Sequence, residues 1–185
     1  MTRQTEITDS ALQSQVRARY SGETAALEAL GFHHPIFKVE TLGPFSAVVQ
    51  FRLARLMRRG GEILVSPFPL RLGVANVLLF HSEPPSIVSC SGMGVKFYTD
   101  FSDDSLLISS TIQIEATFQR LIAPNPYSKI IRNPPCPTPE EAWLSHKRRA
   151  AEIEAQGKTI RNTSSFADWV KIVKREEIDI LSTIE

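Results

Sequence analysis

The sequence lacks the features that mark a secreted or membrane-spanning protein. It contains two cysteines, Cys90 and Cys136, and its N-terminus is polar, without the apolar segment of a signal peptide. Two cysteines in this setting usually remain thiols in a reducing compartment, and one disulfide between them is the alternative. No apolar run approaches the roughly 18 residues of a membrane span. These absences predict a cytoplasmic protein.

The sequence also lacks an excess of charge of either sign. Its 21 lysines and arginines nearly balance 20 acidic residues, for a formal net charge of +1. No overall field therefore favours nucleic acid. The basic clusters are not interleaved with aromatic residues, as grooves for single-stranded nucleic acid require. We expect no nucleic-acid partner, and any other partner must be recognised by a local patch.

Metal-ligand spacing is absent as well. The chain has neither an H-x-x-x-H nor a C-x-x-C motif, and the neighbours His33 and His34 would point to opposite faces of a strand. A zinc site made from His33, His81 and Cys90 would require the fold to bring these distant residues together. We expect loop or boundary histidines, and neither a metal nor a cofactor.

Motifs for covalent catalysis and nucleotide binding are missing too. The segment 89–94 contains Gly92 and Gly94, but the Gly-x-Ser-x-Gly motif is absent and the segment leads into a strand. The third glycine and the following helix of a dinucleotide site are also absent. We expect these glycines to allow a bulge or tight bend, and Cys90 to be buried. These absences favour a protein that is not an enzyme, and they leave an enzyme as the alternative.

The most informative segment that is present covers residues 91–111. From Val95 to Phe101, apolar and polar residues alternate, the acidic turn Ser102-Asp103-Asp104-Ser105 follows, and apolar character returns at Leu106. This pattern is typical of two antiparallel strands joined by a tight turn. Together with other short apolar runs, it predicts an antiparallel meander of about five or six strands.

The sheet is predicted to be packed by helices from both ends of the chain, in a single α+β domain spanning residues 1–185. The predicted parts are N-terminal helices in 1–31, mainly β structure in 32–118, a connector in 119–137 and two C-terminal helices in 138–185. Six prolines fall between Pro124 and Pro139, which indicates an extended connector. Thr138-Pro139-Glu140-Glu141 forms a capping box at the start of the first C-terminal helix.

Residues 44–59 carry the strongest indication of a partner. A helical apolar stripe favours a helix here, although Val48–Leu53 is equally compatible with a strand. Four arginines border this stripe: Arg52, Arg55, Arg58 and Arg59. A helix of this kind docks on another protein, including a second copy of the same chain, or lies on a membrane surface without spanning it. The alternative is a core helix whose arginines face water.

A second candidate site lies on the predicted sheet. Lys96, Tyr98 and Asp100 alternate with apolar residues, so we expect them to form a polar, exposed face of a rigid strand. His146 is the nominal fourth member of this ligand-binding set. A pocket for a small apolar molecule between the sheet and the helices is a further alternative, because the aromatic residues suit a core or a pocket equally.

Three acidic pairs, Asp103-Asp104, Glu140-Glu141 and Glu176-Glu177, fall in predicted turn, cap and solvated-helix positions and need no catalytic explanation. The segments Gly94–Phe101 and Ala26–Phe32 resemble bacterial sequences, but they identify no family, and no site residue is carried over. The sequence thus predicts a non-enzymatic binding or interaction domain. A ligand carrier, an enzyme with a pocket and a peripheral membrane protein are the alternatives.

Overall fold

The computed structural model describes residues 3–41, 74–113 and 127–182, which form an α+β fold. Four helices and a seven-stranded sheet lie in these ranges. The helices are α1 (Ser10–Arg19), α2 (Ser21–Ala29), α3 (Pro139–Ala155) and α4 (Phe166–Ser182). The strands are β1 (Arg3–Glu6), β2 (His33–Thr41), β3 (Val74–Ser82), β4 (Pro85–Ser91), β5 (Gly94–Asp100), β6 (Leu106–Ser110) and β7 (Ile130–Arg132).

The N-terminal helices begin and end where local sequence chemistry places them. The Asp9 side chain accepts a hydrogen bond from the Leu12 amide (2.8 Å) and caps α1, as an N-cap aspartate does. Helix α2 ends at Ala29, and Gly31 follows with a φ of +93°, the left-handed conformation that favours glycine after a helix. Both features lie within the range 1–31, where N-terminal helices were predicted.

The sheet follows chain order from β1 to β7, with antiparallel pairing between all neighbours except β6 and β7. The predicted hairpin is confirmed: β5 pairs with β6 in a register that places Asp100 opposite Leu106. Strands β4 and β5 are joined by Gly92-Met93, and Gly94 has a φ of +140°. The two glycines therefore form a tight turn, as expected, and no nucleophile elbow.

Two strands were missed, so the sheet has more strands than predicted. Strand β1 is short and polar, and it exists because it pairs with β2 along one edge. Strand β7 falls inside the predicted proline-rich connector and pairs in parallel with β6 at the other edge. Prolines flank β7 without interrupting it, which is compatible with an edge position.

The C-terminal helices begin where they were predicted. Thr138 accepts a hydrogen bond from the Glu141 amide (3.2 Å), Pro139 occupies the first turn, and α3 ends just before Gly157. In α4, Trp169 and Ile172 are buried, whereas Val170 is exposed.

Helices cover both faces of the sheet. On one face, called here the α3 face, strand residues pack against α1, α2 and α3; on the other, the α4 face, they pack against α4. The α3 face includes Phe37, Val77, Leu79, Val88, Phe97 and Trp143. The α4 face includes Leu78, Phe80, Ile87, Tyr98, Ile108 and Trp169. Alternate residues of the central strands are therefore buried on opposite sides, and neither side of these strands faces water.

Several predictions fall outside the described residues. These include the helix or strand at 44–59 with its four arginines, and parts of the β region predicted at 32–118. They remain predictions, as does the interaction surface that they were expected to form.

Candidate functional site

The predicted polar strand face lies beneath α4, so its description as exposed was wrong. Tyr98 is 2% exposed and Asp100 is 6% exposed, and the Lys96 side chain is largely covered. Alternation along β5 indicated the two faces correctly. The second helix layer then buried the polar face, which the alternation alone does not specify.

Lys96 and Tyr98 both contact a carboxylate that the sequence had placed in water. Glu176 of α4 is buried and accepts hydrogen bonds from Lys96 Nζ (3.2 Å), Tyr98 OH (3.1 Å) and Arg132 Nη1 (3.2 Å). Burial by itself raises the pKa of Glu176, but the charges of Lys96 and Arg132 outweigh it and hold that pKa below its usual value. This cluster attaches α4 to β5 and β7.

Asp100 serves a second ionic cluster on the same face. Arg175 of α4 lies 2.8 Å from one Asp100 oxygen, and Arg161 donates to the other at 3.3 Å. Arg161 also donates to the Ser102 carbonyl (2.8 Å) and to Asp104 (2.7 Å). Asp100 thus ties the β5–β6 turn to α4 and to the segment before it. Each of its carboxylate oxygens lies within ion-pair distance of an arginine, although Oδ1 accepts no hydrogen bond.

A buried lysine belongs to the α4 face as well. The Lys38 side chain has no exposed surface, and its ammonium group donates to Gln4 (2.8 Å) and lies 4.8 Å from the centre of the Trp169 ring. Glu40 forms an ion pair with it at 3.4 Å. Burial lowers the pKa of Lys38, and the charge of Glu40 opposes this shift. These contacts give Lys38 a structural role.

His146 lies on the α3 face, away from the residues with which it was grouped. It is fully buried, with Nε2 at 2.8 Å from Thr99 Oγ1 and Nδ1 at 2.9 Å from Ser109 Oγ. Thr99 in turn contacts Ser86 (2.7 Å), and Asn133 donates to Ser109 (2.8 Å). Burial lowers the pKa of His146 to about 3, so the ring is neutral near neutral pH.

This chain of polar groups contains residue types that are common in catalytic sites, but a substrate cannot reach them. The Ser109 hydroxyl accepts a hydrogen bond from Asn133, and it can donate its own proton to Nδ1 of His146. The ring proton of His146 then lies on Nε2 and is donated to the Thr99 hydroxyl. All five side chains are at most 9% exposed. The chain satisfies buried polar groups between α3 and the sheet, and it offers no surface to a substrate.

An open cavity of about 560 Å³ lies at the end of the sheet where β2 begins and β3 ends. We call it the histidine cavity, because three of the protein's four histidines line it. Its described lining is Arg17, His33, His34, Pro35, Ile36, Phe80, His81, Ser82, Asn162, Thr163 and Ser164. Its volume falls within the range of about 300–1,000 Å³ that is usual for small-molecule sites.

The backbone of β2 is irregular beside this cavity. The pairing of β2 with β3 shifts between His33 and Ile36, and His34 has a φ of +55°. This left-handed conformation is uncommon for a residue other than glycine. Bulges of this kind occur often next to binding sites, where they redirect side chains. His33 and His34 are exposed as a result, with their rings 4.6 Å apart.

Two of the histidine rings are held by backbone groups. His33 Nδ1 donates to the Gly31 carbonyl (3.0 Å), and His81 Nδ1 accepts from the Glu83 amide (3.1 Å). Burial lowers the pKa of His81, and the nearby charges of Lys147 and His33 lower it further. The His81 ring also packs against Phe32 and Trp143, at centroid distances of 5.0 and 4.9 Å.

Thr163 lines the cavity and carries an unmet hydrogen-bonding group. The residue is 4% exposed, and its buried hydroxyl oxygen has no hydrogen-bond partner among the described residues. A buried hydroxyl without a partner is costly, and it is a common sign of a missing water or ligand. Sequence reasoning had considered His33 and His81 together as metal ligands. It did not identify Thr163, Arg17 or the cavity, because these elements are far apart in the chain.

A second, smaller cavity of about 320 Å³ lies between β7 and α3, next to Asn133, Arg148 and Arg149. Arg149 is already paired with Glu152 at 2.7 Å. Cys90 and Cys136 are both free thiols. Burial raises the pKa of Cys90 to about 12, so it is an inert core residue.

Comparisons with known proteins give no further guidance, because no protein-family model, curated protein or solved structure matches this chain. Within the described ranges, no group of three or more histidine, cysteine or acidic residues is placed to hold a metal ion. Among the described helices, none is long and apolar enough to cross a membrane.

Proposed function

We propose that the protein is a non-enzymatic binding domain and that the histidine cavity is its binding site for a small molecule. The observation that carries this proposal is the combination of a cavity of about 560 Å³ with the buried, unpartnered hydroxyl of Thr163 in its lining. Among the described residues, two other buried atoms lack a hydrogen-bond partner, Gln4 Nε2 and Asp100 Oδ1. Asp100 Oδ1 lies 2.8 Å from Arg175, and neither residue lines this cavity, whereas Thr163 does.

The local backbone supports the same proposal. The left-handed conformation of His34 costs on the order of 1 kcal/mol or more, and such strained positions cluster at ligand sites. The exposed His34 side chain contacts the His33 ring, at a centroid distance of 4.6 Å. Presentation of His33 and His34 to a ligand is a role for the bulge that accounts for this strain.

A binding role is favoured over catalysis by the state of the titratable groups. The fully buried His146 has no access to a substrate, and Glu176 and Asp100 are engaged by cations. Among the described residues that line the cavity there is no carboxylate to orient a histidine as a general base. The geometry therefore supports recognition of a ligand without its conversion.

The test is a fragment screen on the full chain, followed through the histidine ring signals in ¹H–¹³C correlation spectra. We expect at least one fragment to shift the His33 and His81 signals saturably. Ser164→Trp should block this shift by filling the cavity, whereas Ala151→Trp, on the exposed side of α3, should not. If no fragment gives a saturable shift, or if Ser164→Trp leaves the shift unchanged, the proposal is wrong.

Thr163→Val separates a ligand-binding hydroxyl from a structural one. Because the hydroxyl has no partner among the described residues, its removal should leave the melting temperature unchanged or slightly higher. Fragment affinity should fall about fivefold, the equivalent of one ordinary hydrogen bond. A lower melting temperature with unchanged affinity would show that the hydroxyl stabilises the fold, and Thr163 would cease to support the proposal.

The arginines at 52, 55, 58 and 59 are the basis of a separate proposal, an interaction with another protein, with a second copy of the chain or with an anionic membrane. Reversing all four charges should abolish capture of a cross-linked partner or flotation with anionic vesicles. Unchanged capture and flotation would exclude this surface. Neither outcome bears on the histidine cavity.

A further inference from the structure

We propose that the ligand of the histidine cavity carries an anionic group, a carboxylate or a phosphate, attached to a flat apolar part. This inference rests on the proposed function and adds the chemical class of the ligand. It follows from the charges, the apolar surface and the hydrogen-bonding groups that meet in the cavity.

The described titratable side chains of the lining are all basic. Arg17 supplies a permanent positive charge at the end of α1, and His33, His34 and His81 supply imidazoles from β2 and β3. The carboxylate closest in sequence, Glu83, is not among the lining residues, and its backbone amide is used by His81. A cationic ligand would meet repulsion here and find no described counter-charge, whereas an anion would be attracted.

The electrostatic surroundings extend this bias beyond the lining. Lys147 of α3 lies close enough to His81 for its charge to act on that ring, and His33 acts in the same direction. The guanidinium group of Arg17 packs over the aromatic ring of Phe37, whose centre lies 5.4 Å from the guanidinium carbon. Stacking of this kind restricts an arginine while leaving its N–H groups available for a planar anion.

The remaining surface suits the rest of the ligand. Pro35, Ile36 and Phe80 supply an apolar wall, and the lining also includes Thr163 with its buried, unpartnered hydroxyl. A bare inorganic anion would leave the apolar wall uncovered, and a purely apolar molecule would leave the arginine and the hydroxyl without partners. An aromatic or similar flat acid satisfies all three sets of groups.

The experiment compares four probes of nearly equal size by titration, read from the histidine ring signals of the full chain. The probes are benzoate and phenyl phosphate, which are anionic, benzyl alcohol, which is neutral, and benzylamine, which is cationic. We expect at least one anionic probe to bind about tenfold or more tightly than both others, as one charge-assisted hydrogen bond allows. Whether the carboxylate or the phosphate binds more tightly distinguishes the two kinds of anion.

Two variants locate the anionic group. Arg17→Gln should weaken binding of the preferred anion about tenfold, because it removes the permanent charge of the cavity. Arg19→Gln removes an equally exposed arginine of the same helix that does not line the cavity, so affinity should change less than about twofold. Equal losses in the two variants would show a general charge effect and would overturn the assignment.

The outcomes separate this inference from the proposed function. If benzyl alcohol or benzylamine binds as tightly as the anions, the anionic class is wrong, but the cavity is still a binding site. If the four probes fail while unrelated fragments shift the same signals, the class is again wrong and the site stands. If the fragment screen itself finds nothing, both proposals fail together.

Discussion

The two faces of the sheet bury polar groups by different means, although both use the strand β5. On the α3 face, Thr99 joins a neutral chain of hydroxyl, imidazole and amide groups centred on His146. On the α4 face, Lys96, Tyr98 and Asp100 join ion pairs with residues of α4 and its neighbours. One strand thus anchors two helices, one through neutral hydrogen bonds and the other through charges.

The difference follows from the depth of each cluster. The neutral chain lies in a fully enclosed layer, where a charge would pay a large desolvation cost and His146 therefore stays unprotonated. The ionic clusters lie nearer the surface: the side chains of Lys96 and Arg132 are each 22% exposed. Partial exposure lets the cations keep some hydration, which makes the buried carboxylates tolerable. Each face should therefore respond differently to mutation and to pH.

The largest loss should come from the neutral chain. We expect His146→Ala to lower the free energy of unfolding by about 3–5 kcal/mol, because it opens a cavity and leaves Thr99 and Ser109 without their imidazole partner. Urea denaturation at neutral pH measures the loss, and Lys147→Ala, at an exposed neighbouring position, is the control. A loss below about 1 kcal/mol would show that the chain contributes little.

A substitution in the ionic cluster around Glu176 should lower the free energy of unfolding by less than His146→Ala does. We expect Glu176→Ala to cost about 2–3 kcal/mol, less than a fully enclosed pair, because Lys96 and Arg132 remain partly hydrated when they lose their shared carboxylate. Glu154→Ala, at an exposed position of α3, should change stability by less than about 0.5 kcal/mol. If Glu176→Ala costs as much as His146→Ala, the proposed difference between the faces is wrong.

A glycine substitution tests whether a change next to the α3 face alters the histidine cavity. Gly31 has a φ of +93°, and a Cβ there would lie 2.9 Å from His81 Nε2. We expect Gly31→Ala to cost about 1–2 kcal/mol and to shift the His81 ring signals. Gly22→Ala in α2, where nothing lies within 4 Å, should be neutral or slightly stabilising. Equal effects of the two substitutions would contradict this account.

The last effect concerns acid, and the two faces differ in the pH range in which it appears. His146 has a folded pKa of about 3, below its ordinary 6.5, so the unfolded chain binds more protons between these values. Stability should therefore fall as the pH drops below 6.5, by at most about 1.4 kcal/mol per pH unit from this group. The pKa of Glu176 is held below its ordinary 4.5, so its loss of stability begins only below that pH.

Urea denaturation between pH 7 and pH 5 measures this difference. His146→Phe should reduce the slope of stability against pH in that range, leaving the smaller contribution of His81, whose pKa is also lowered. Glu176→Gln should leave the slope unchanged there. If His146→Phe keeps the slope of the original chain, the imidazole is not the group that titrates.

Local sequence rules predicted much of the fold because the interactions involved are local. The caps at Asp9 and Thr138, the end of α2 before Gly31 and the β5–β6 turn each depend on residues within about four positions of one another. In that turn, Asp103 accepts hydrogen bonds from the amide and the hydroxyl of Ser105. These hydrogen bonds, together with the contact of Lys158, lower the pKa of Asp103. The carboxylate has the structural role that was predicted.

The candidate site could not be predicted in the same way. The alternation along β5 correctly separated Lys96, Tyr98 and Asp100 from Phe97 and Thr99, but it does not specify whether a second layer covers the polar side. Helix α4 covers it through Glu176, about 80 residues away in the chain. His146 was grouped with these residues although it lies on the opposite face.

The sequence by itself determined the α+β class, the central hairpin and the ends of the helices, since periodicity, turn chemistry and capping are properties of neighbouring residues. Tertiary structure alone decided that both faces of the sheet are covered, that β1 and β7 complete its edges, and that His33, His81, Thr163 and Arg17 surround one cavity. These residues come from α1, two strands and the segment before α4. Their juxtaposition depends on how whole elements pack, because contacts over such separations leave no local pattern in the chain.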